Sequence, residues 1–523
     1  MNFYFSAADV LDRLDAKKGS IKGLISTVAE KDRKRTSALV IQTLKYKPVL
    51  LDVIDQAKLL KEERKKLSSL NLALVLVHDV LFSSGGIQAG DGPIKQAVLR
   101  HKTRLHSELQ KLKIKRGVKS NEELAQSGDS RAASIPRYVR VNTTLWSVDE
   151  AIRHFGAKGF TLKDADSFEV SSKSHKDFAK DKHIPALLLF HPHVSFQDEE
   201  AYKIGKVILQ DKASCFPAVV LNPPASKNAV VIDATAAPGN KTSHLSALMG
   251  NLGVLFAFER DRRRFSTLQK MLSKAKCKNV ESVNVDFLTV DPTDPKYSRV
   301  SHILLDPSCS GSGIVNRLDY LVESEQEADS SVQELEERLN KLAGFQLMMI
   351  KHAMKFPSVQ RIVYSTCSIH TIEDEHVVRA ALESSEARTA NFVLALPSEV
   401  LPEWKRRGLE GEMNEPGHAA SLIRCLPGED ATNGFFVSCF VRGSSSSSKG
   451  LERKGKRKRG SGHVDADGEA DEEESDGDGD GDGDGDEGGE GDGEDKDGDV
   501  EQRPRKKKGK KKGKKKKKLK KGE

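Results

Sequence analysis

The most restrictive feature of this chain is an alternation between residues 226 and 442. The apolar runs AVVIDA, GVLFAFE, VESVNVDF, HILLD, RIVYSTC and GFFVSCFV recur there as strand-like segments. The segments between the first five read as helices or helix-bearing connections, most clearly QELEERLNKLAGFQLMMIKHAMKF. Strands that are apolar along their whole length must be covered on both faces. Alternation with helices then predicts an α/β fold, a doubly wound Rossmann-like sheet. Ligands of such sheets bind beyond the carboxyl ends of the strands, so the residues after each run are where chemistry is sought.

The flanking regions differ in character. Residues 1–130 read as a helical region, with apolar residues at three and four spacing in SALVIQTLKYKPVLLDVI and LNLALVLVHDVLF. Pro48 should end or kink a helix, SSGGIQAGDGP is a loop, and IKQAVLRHKTRLHSELQKLKIKR is a basic helix. Residues 131–225 predict a small α+β module: a strand in PRYVRVNT, a helix over 147–155 and a buried strand in PALLLF. Residues 443–523 form a serine-rich, acidic and then lysine-rich tail, with too few apolar residues to offset ordering entropy, and are expected to be disordered. Its Asp-Gly repeat lacks the ligand spacing and closing Glu of a calcium loop. Its lysines suit nonspecific nucleic-acid contact or a nuclear or nucleolar address.

Charge and cysteine usage exclude several classes. Lys+Arg of 85 against Asp+Glu of 77 leaves +8, a sum of opposed blocks that says little about partners. The six cysteines show no CxxC spacing, which argues against structural zinc and for unpaired thiols in a reducing compartment. No secretory signal and no apolar run of membrane-spanning length is apparent.

The first chemical signal is VVIDATAAPGNKTSHLSALM, a strand that runs through small residues into a helix. Small residues permit close backbone approach, and a helix N-terminus favours a carboxylate. The spacing is neither a Walker A loop nor GxGxxG, and a plain tight turn explains it equally well. Glu259, ending the second strand, is placed to accept from ribose hydroxyls. Asp286, ending the third, is either an adenine contact or a solvated strand-end residue. Together they predict an adenosine-containing cofactor, with a dinucleotide and S-adenosylmethionine both admissible.

Two cysteines then follow two successive strands, Cys309 in HILLDPSCSGSG and Cys367 in RIVYSTCSIHTIEDE. One reaction that needs such thiols is methylation of cytosine at carbon 5, a poor nucleophile. A thiolate adding to carbon 6 makes an enamine that attacks an electrophilic methyl. An acid must hold or protonate N3 as charge builds, and Asp306 is the candidate. A base must remove the carbon 5 proton so that the thiol leaves, and Cys309 is the candidate. His370 and Glu373, after Cys367, could shape its pocket, but read first as ordinary loop and helix-capping residues.

The segments PRYVRVNT, ILQDKASCFPAVVL, DATAAPGNKTSHL, LLDPSCSGSG, YSTCSIHTIEDE and NGFFVSCF resemble the NOL1/NOP2/Sun-domain RNA (cytosine-5) methyltransferases. DPSC, in place of the commoner APC, points to the member 5 type that modifies large-subunit rRNA. The resemblance implies a class I methyltransferase sheet with S-adenosylmethionine held by Thr235, Ala236, Ala237, Pro238, Gly239, Asn240 and Lys241, and by Glu259, Arg264, Asp286 and Asp306. It implies Cys367 as nucleophile and Cys309 as the release cysteine. Thr235 stands where the family usually has Cys, and Glu259 where it more often has Asp, so the ribose contact is expected to shift.

Two rivals are weighed against this. Methylation of a nitrogen typically uses an Asn/Asp-Pro-Pro-aromatic loop after the fourth strand, where this chain has DPSC; its Asn222-Pro-Pro segment precedes the cofactor loop and reads as a turn. A noncatalytic assembly factor has no need of Cys309 and Cys367. Arg137 and Arg140 are expected to grip the RNA backbone. The working expectation is a monomer that binds large-subunit rRNA, uses neither membrane nor metal, and resides in the nucleus and nucleolus.

Overall fold

A computed structural model describes residues 1–443, except 127, 173, 316–320 and 322–331. The tail from 444 onward, with its expected disorder and basic terminus, lies outside the described residues. The described residues fall in one compact unit, Met1–Leu451.

The N-terminal region is helical and packs around Leu70–Phe82, whose residues from Asn71 to Leu81 are all buried. Pro48 sits in the first turn of helix Lys47–Gln56, where its missing N–H leaves no bond unmade, so it starts that helix after Glu30–Lys45 has ended. The predicted long basic helix is two, Pro93–Arg100 and Lys102–Arg116.

A five-stranded sheet follows: β1 (Arg137–Val141), β2 (Thr161–Lys163), β3 (Asp177–Lys180), β4 (Leu187–Phe190) and β5 (Val207–Leu209), in the order β2-β3-β4-β1-β5. Helix Val148–Ala157, opened by a Ser147/Glu150 capping box, covers one face. Phe155 is buried at its centre against Phe178, Phe190 and Phe196.

The larger sheet contains β6 (Val230–Asp233), β7 (Val254–Phe258), β8 (Val280–Val283), β9 (His302–Leu305), β10 (Arg361–Thr366), β11 (Phe392–Leu394), β12 (Ile423–Cys425) and β13 (Phe435–Arg442). Its order is β11-β13-β10-β9-β6-β7-β8, with β12 paired to β13. Strands β10, β9, β6, β7 and β8 are mutually parallel, and β13 joins antiparallel. Consecutive residues enter different cores, as expected for a doubly covered sheet. Ile232, Ile303 and Ile362 pack with helix Val332–Met354, while Val231, Leu304 and Val363 pack with helix Lys212–Leu221. The connection from β8 to β9 carries only short 3₁₀ turns. Strands β11 and β12 leave no periodic signal in the sequence because three residues are too few to show a period.

This topology decides the site. The chain runs from β6 outward to β8, then crosses back to place β9 on the other side of β6. The loops after β6 and β9 diverge there and leave a crevice at the strand ends.

Candidate active site

A cavity of about 490 Å³ occupies that crevice. Thr235, Glu259, Asp286, Asp306, Cys309 and Cys367 line it from the ends of five different strands or the loops beyond them, and Arg264 from the first turn of the helix after β7. Val285, Phe287, Phe345 and Met349 supply apolar wall. The volume is within the range of small-molecule sites, about 300–1,000 Å³.

The two cysteines meet at its base. Parallel pairing of β9 and β10 sets their ends side by side, and the sulfurs of Cys309 and Cys367 lie 3.0 Å apart, not joined as a disulfide. The Cys309 thiol is pushed well above its ordinary range by its hydrogen bond with Cys367, by burial, and by the charges of Asp306 and Glu373.

Asp306 is anchored on three sides. Its N–H donates to Thr235 Oγ1 at 3.0 Å, its Oδ1 accepts from Ser365 Oγ at 2.7 Å, and its Oδ2 meets Lys241 Nζ at 2.8 Å. Thr235, where the family usually has Cys, thus uses its hydroxyl to join the β6 loop to the end of β9. Burial pulls the Lys241 ammonium toward deprotonation, but the negative charges of Asp306 and Cys367 outweigh it, and its pKa is raised. Below them Asp233 is buried; burial pushes its carboxyl up to about 6, against hydrogen bonds from Thr242 Oγ1 and the Thr235 N–H.

The loop residues divide. Only Thr235 of the segment 235–241 lines the cavity. Ala236 and Ala237 pack with Ala257, Leu268 and Leu272. Gly239 has φ of +110°, and a Cβ there would stand 3.1 Å from Met271 Cβ, so backbone conformation and helix Arg262–Ala275 already require glycine there. Pro238 is exposed and Asn240 begins helix Asn240–Leu248. Arg264 braces the loop by donating to the Ala237 carbonyl at 2.7 Å.

The residues suit an adenosine-containing cofactor. Glu259 is 4% exposed; Oε1 accepts from the Asp261 N–H at 2.9 Å, and Oε2 has Arg264 at 3.4 Å. A buried carboxylate beside a cavity retains acceptor capacity for hydroxyls. Asp286 caps the turn Phe287–Thr289, faces Arg260 at 3.3 Å and lines the cavity. Among the described residues no cluster of three or more His, Cys, Asp or Glu is arranged for a metal, and no helix is long and apolar enough to cross a membrane.

Arg140 corrects the sequence-based expectation. Its side chain is fully buried and donates to Gln210 Oε1 at 2.7 Å, Ser243 Oγ at 2.7 Å and the Asn240 carbonyl at 3.2 Å. It points off β1 into the start of the helix after the β6 loop, so it cannot hold phosphate. Arg137 is exposed and donates to the Pro192 carbonyl. Strand alternation set against a neighbouring core separates the two.

Glu373 departs from the helix-capping reading and not from the alternative that it shapes the pocket. It caps no helix, and its carboxylate is buried beneath the Cys309 loop. Gln346, unremarked in the sequence, lies beside it. The one signal for Gln346 is a lone polar residue inside the run LAGFQLMMI.

The comparisons agree along the chain. Residues 218–441 match the model of 16S rRNA methyltransferase RsmB/F. Residues 34–125 and 135–210 match the N-terminal and ferredoxin-like domains of NOL1/NOP2/Sun domain family member 5. A 25S rRNA (cytosine-C(5))-methyltransferase of Schizosaccharomyces pombe is 45% identical, over 84% of this chain and 91% of the relative. A 28S rRNA (cytosine-C(5))-methyltransferase of Mus musculus is 41% identical, over the same shares of each chain. The crystal structure of PH0851 shares the fold, with a TM-score of 0.51 at 19% identity over 79% of this chain and 91% of that one. With this coverage at this identity, the chain belongs to the NOL1/NOP2/Sun domain family of RNA methyltransferases, in its member 5 branch.

Proposed function

We propose that this protein methylates carbon 5 of a cytosine in large-subunit rRNA, with Cys367 as nucleophile and Cys309 as the release residue. The observation that carries the reading is the 3.0 Å approach of the two sulfurs inside the cavity that also holds Asp306 and Glu259. Thr235, Glu259, Arg264 and Asp286 would hold S-adenosylmethionine, which supplies an electrophilic methyl when bound.

Cys367 Sγ forms a bond to cytosine C6, and the Lys241–Asp306 pair lends a proton to N3. The Cys309 thiol is held well above its ordinary range, so Cys309 must surrender its proton before acting as base. The Lys241–Asp306 pair, having lent one, is an acceptor in the same site. Cys309 Sγ then takes the C5 proton once the methyl is in place, the C6–Sγ bond breaks, and Cys367 leaves as thiolate. The ring regains its double bond, and N3 returns its proton to solvent.

In this reading residues 226–442 carry the chemistry, 131–225 assist RNA binding, 1–130 form a helical extension, and the tail 443–523 serves as a nuclear and nucleolar address on a monomeric enzyme. The test is transfer of labelled methyl to rRNA lacking the modification, with the product mapped by bisulfite. Wild type should label one cytosine, Cys367→Ala none, and Cys309→Ala should stall as a protein–RNA adduct. Absence of wild-type labelling would instead favour a noncatalytic assembly role, and normal labelling by Cys367→Ala would remove Cys367 as the nucleophile.

A further inference from the structure

Cys309 lies in a loop without regular secondary structure. At rest its sulfur contacts Cys367, but in the two-cysteine reading Cys367 becomes a thioether on bonding to cytosine, a much weaker partner. Something else must keep Cys309 in place for the release step. The peptide groups on either side of it are gripped by two buried side chains. Gln346 Nε2 donates to the Ser308 carbonyl at 3.1 Å, and Glu373 Oε1 accepts from the Ser310 N–H at 2.9 Å. Gln346 Nε2 also donates to Glu373 Oε1 at 3.0 Å, which joins the two jaws. The Tyr364 hydroxyl, 2.9 Å from Gln346 Oε1 and 2.6 Å from the Glu373 carbonyl, shares its one proton between them. Gln346, Tyr364 and Glu373 are all 0% exposed.

Stability alone does not account for this arrangement. Glu373 Oε2 is buried with no hydrogen-bond partner, a costly state for a carboxylate oxygen. Cys367 is held differently, by the end of β10 and by the Gly313 N–H donating to its carbonyl at 3.0 Å.

We infer that Gln346 and Glu373 are positioning residues for the release step, clamping the loop so that Cys309 Sγ meets the C5 proton. The inference rests on the two-cysteine reading above. A displacement of about 1 Å in a reacting group can slow its step on the order of a hundredfold. Loosening the clamp should therefore slow release while leaving attack by Cys367 intact.

The experiment compares full-length wild type, Cys309→Ala, Gln346→Met, Glu373→Leu and Glu373→Gln on unmodified rRNA. Protein–RNA adduct on denaturing gels, single-turnover methyl transfer and melting temperature are measured for each. Gln346→Met and Glu373→Leu should accumulate adduct about tenfold or more above wild type, as expected for loss of a hydrogen bond to a charged group, with single-turnover transfer retained. Glu373→Gln keeps an acceptor for the Ser310 N–H and should release normally. Gln346→Met, which preserves packing volume, carries the test if Glu373→Leu fails to fold. Accumulation by Cys309→Ala with wild-type adduct levels in the folded clamp variants would overturn the clamp and leave the two-cysteine chemistry standing. No adduct from Cys309→Ala would overturn that chemistry, and the clamp with it.

Discussion

Arg140→Met is the substitution that separates scaffold from RNA contact most cleanly. Methionine keeps length and apolar volume but removes the guanidinium. The wild-type side chain donates three hydrogen bonds, to Gln210, Ser243 and the Asn240 carbonyl. Bonds from a charged donor contribute about 1.5–3 kcal/mol each. Against this, burial lowers the Arg140 pKa from 12.5 to about 10, equivalent to roughly 3 kcal/mol against the charged form, and Nη1 has no partner. Methionine recovers that part. The expected net loss is about 2–5 kcal/mol, within the range for breaking a buried polar network. Urea unfolding followed by tryptophan fluorescence measures it. RNA affinity is then titrated against salt at a temperature where the variant is folded. A lost phosphate contact would flatten the slope of log K against log salt by about 0.7 for single-stranded RNA; a lost internal strut leaves the slope unchanged. Unaltered stability together with a flattened slope would refute the strut and restore Arg140 to the RNA surface.

Two further predictions follow from the cavity. Glu259→Ala removes the buried carboxylate offered to ribose hydroxyls and should weaken S-adenosylmethionine binding by about 10–100-fold, as read by calorimetry; an unchanged Kd would remove Glu259 from the cofactor site. Asp233, whose carboxyl burial pushes up to about 6 from 3.8, binds its proton more tightly folded than unfolded. Wild-type stability should therefore fall as pH rises from about 4 to about 6, by up to roughly 3 kcal/mol. Asp233→Asn lacks this dependence, so its stability relative to wild type should climb across that window. A pH-independent difference between the two proteins would show that Asp233 is not destabilised by burial.

Local pattern alone was enough to expect the doubly covered sheet and the chemistry-bearing residues at its strand ends. Uninterrupted apolar runs can only be buried on both faces, and DPSC and STC stand where the runs of β9 and β10 stop. The three-residue strands β11 and β12 carried no such period. What the sequence could not show was distance. That Cys309 and Cys367, 58 positions apart, touch at 3.0 Å depends on β9 and β10 lying adjacent and parallel. That Thr235 holds the Asp306 backbone depends on β6 neighbouring β9 across the crossover. Arg137 and Arg140 look alike in PRYVRVNT, and only the packing of β1 against the helix Asn240–Leu248 sends one to solvent and the other into the interior. Gln346 likewise became legible only when the long helix was laid under the Cys309 loop, where it meets Glu373. Residue type and period are local quantities, whereas which polar groups meet is set by strand order and helix docking, and these are settled by burial of the chain as a whole.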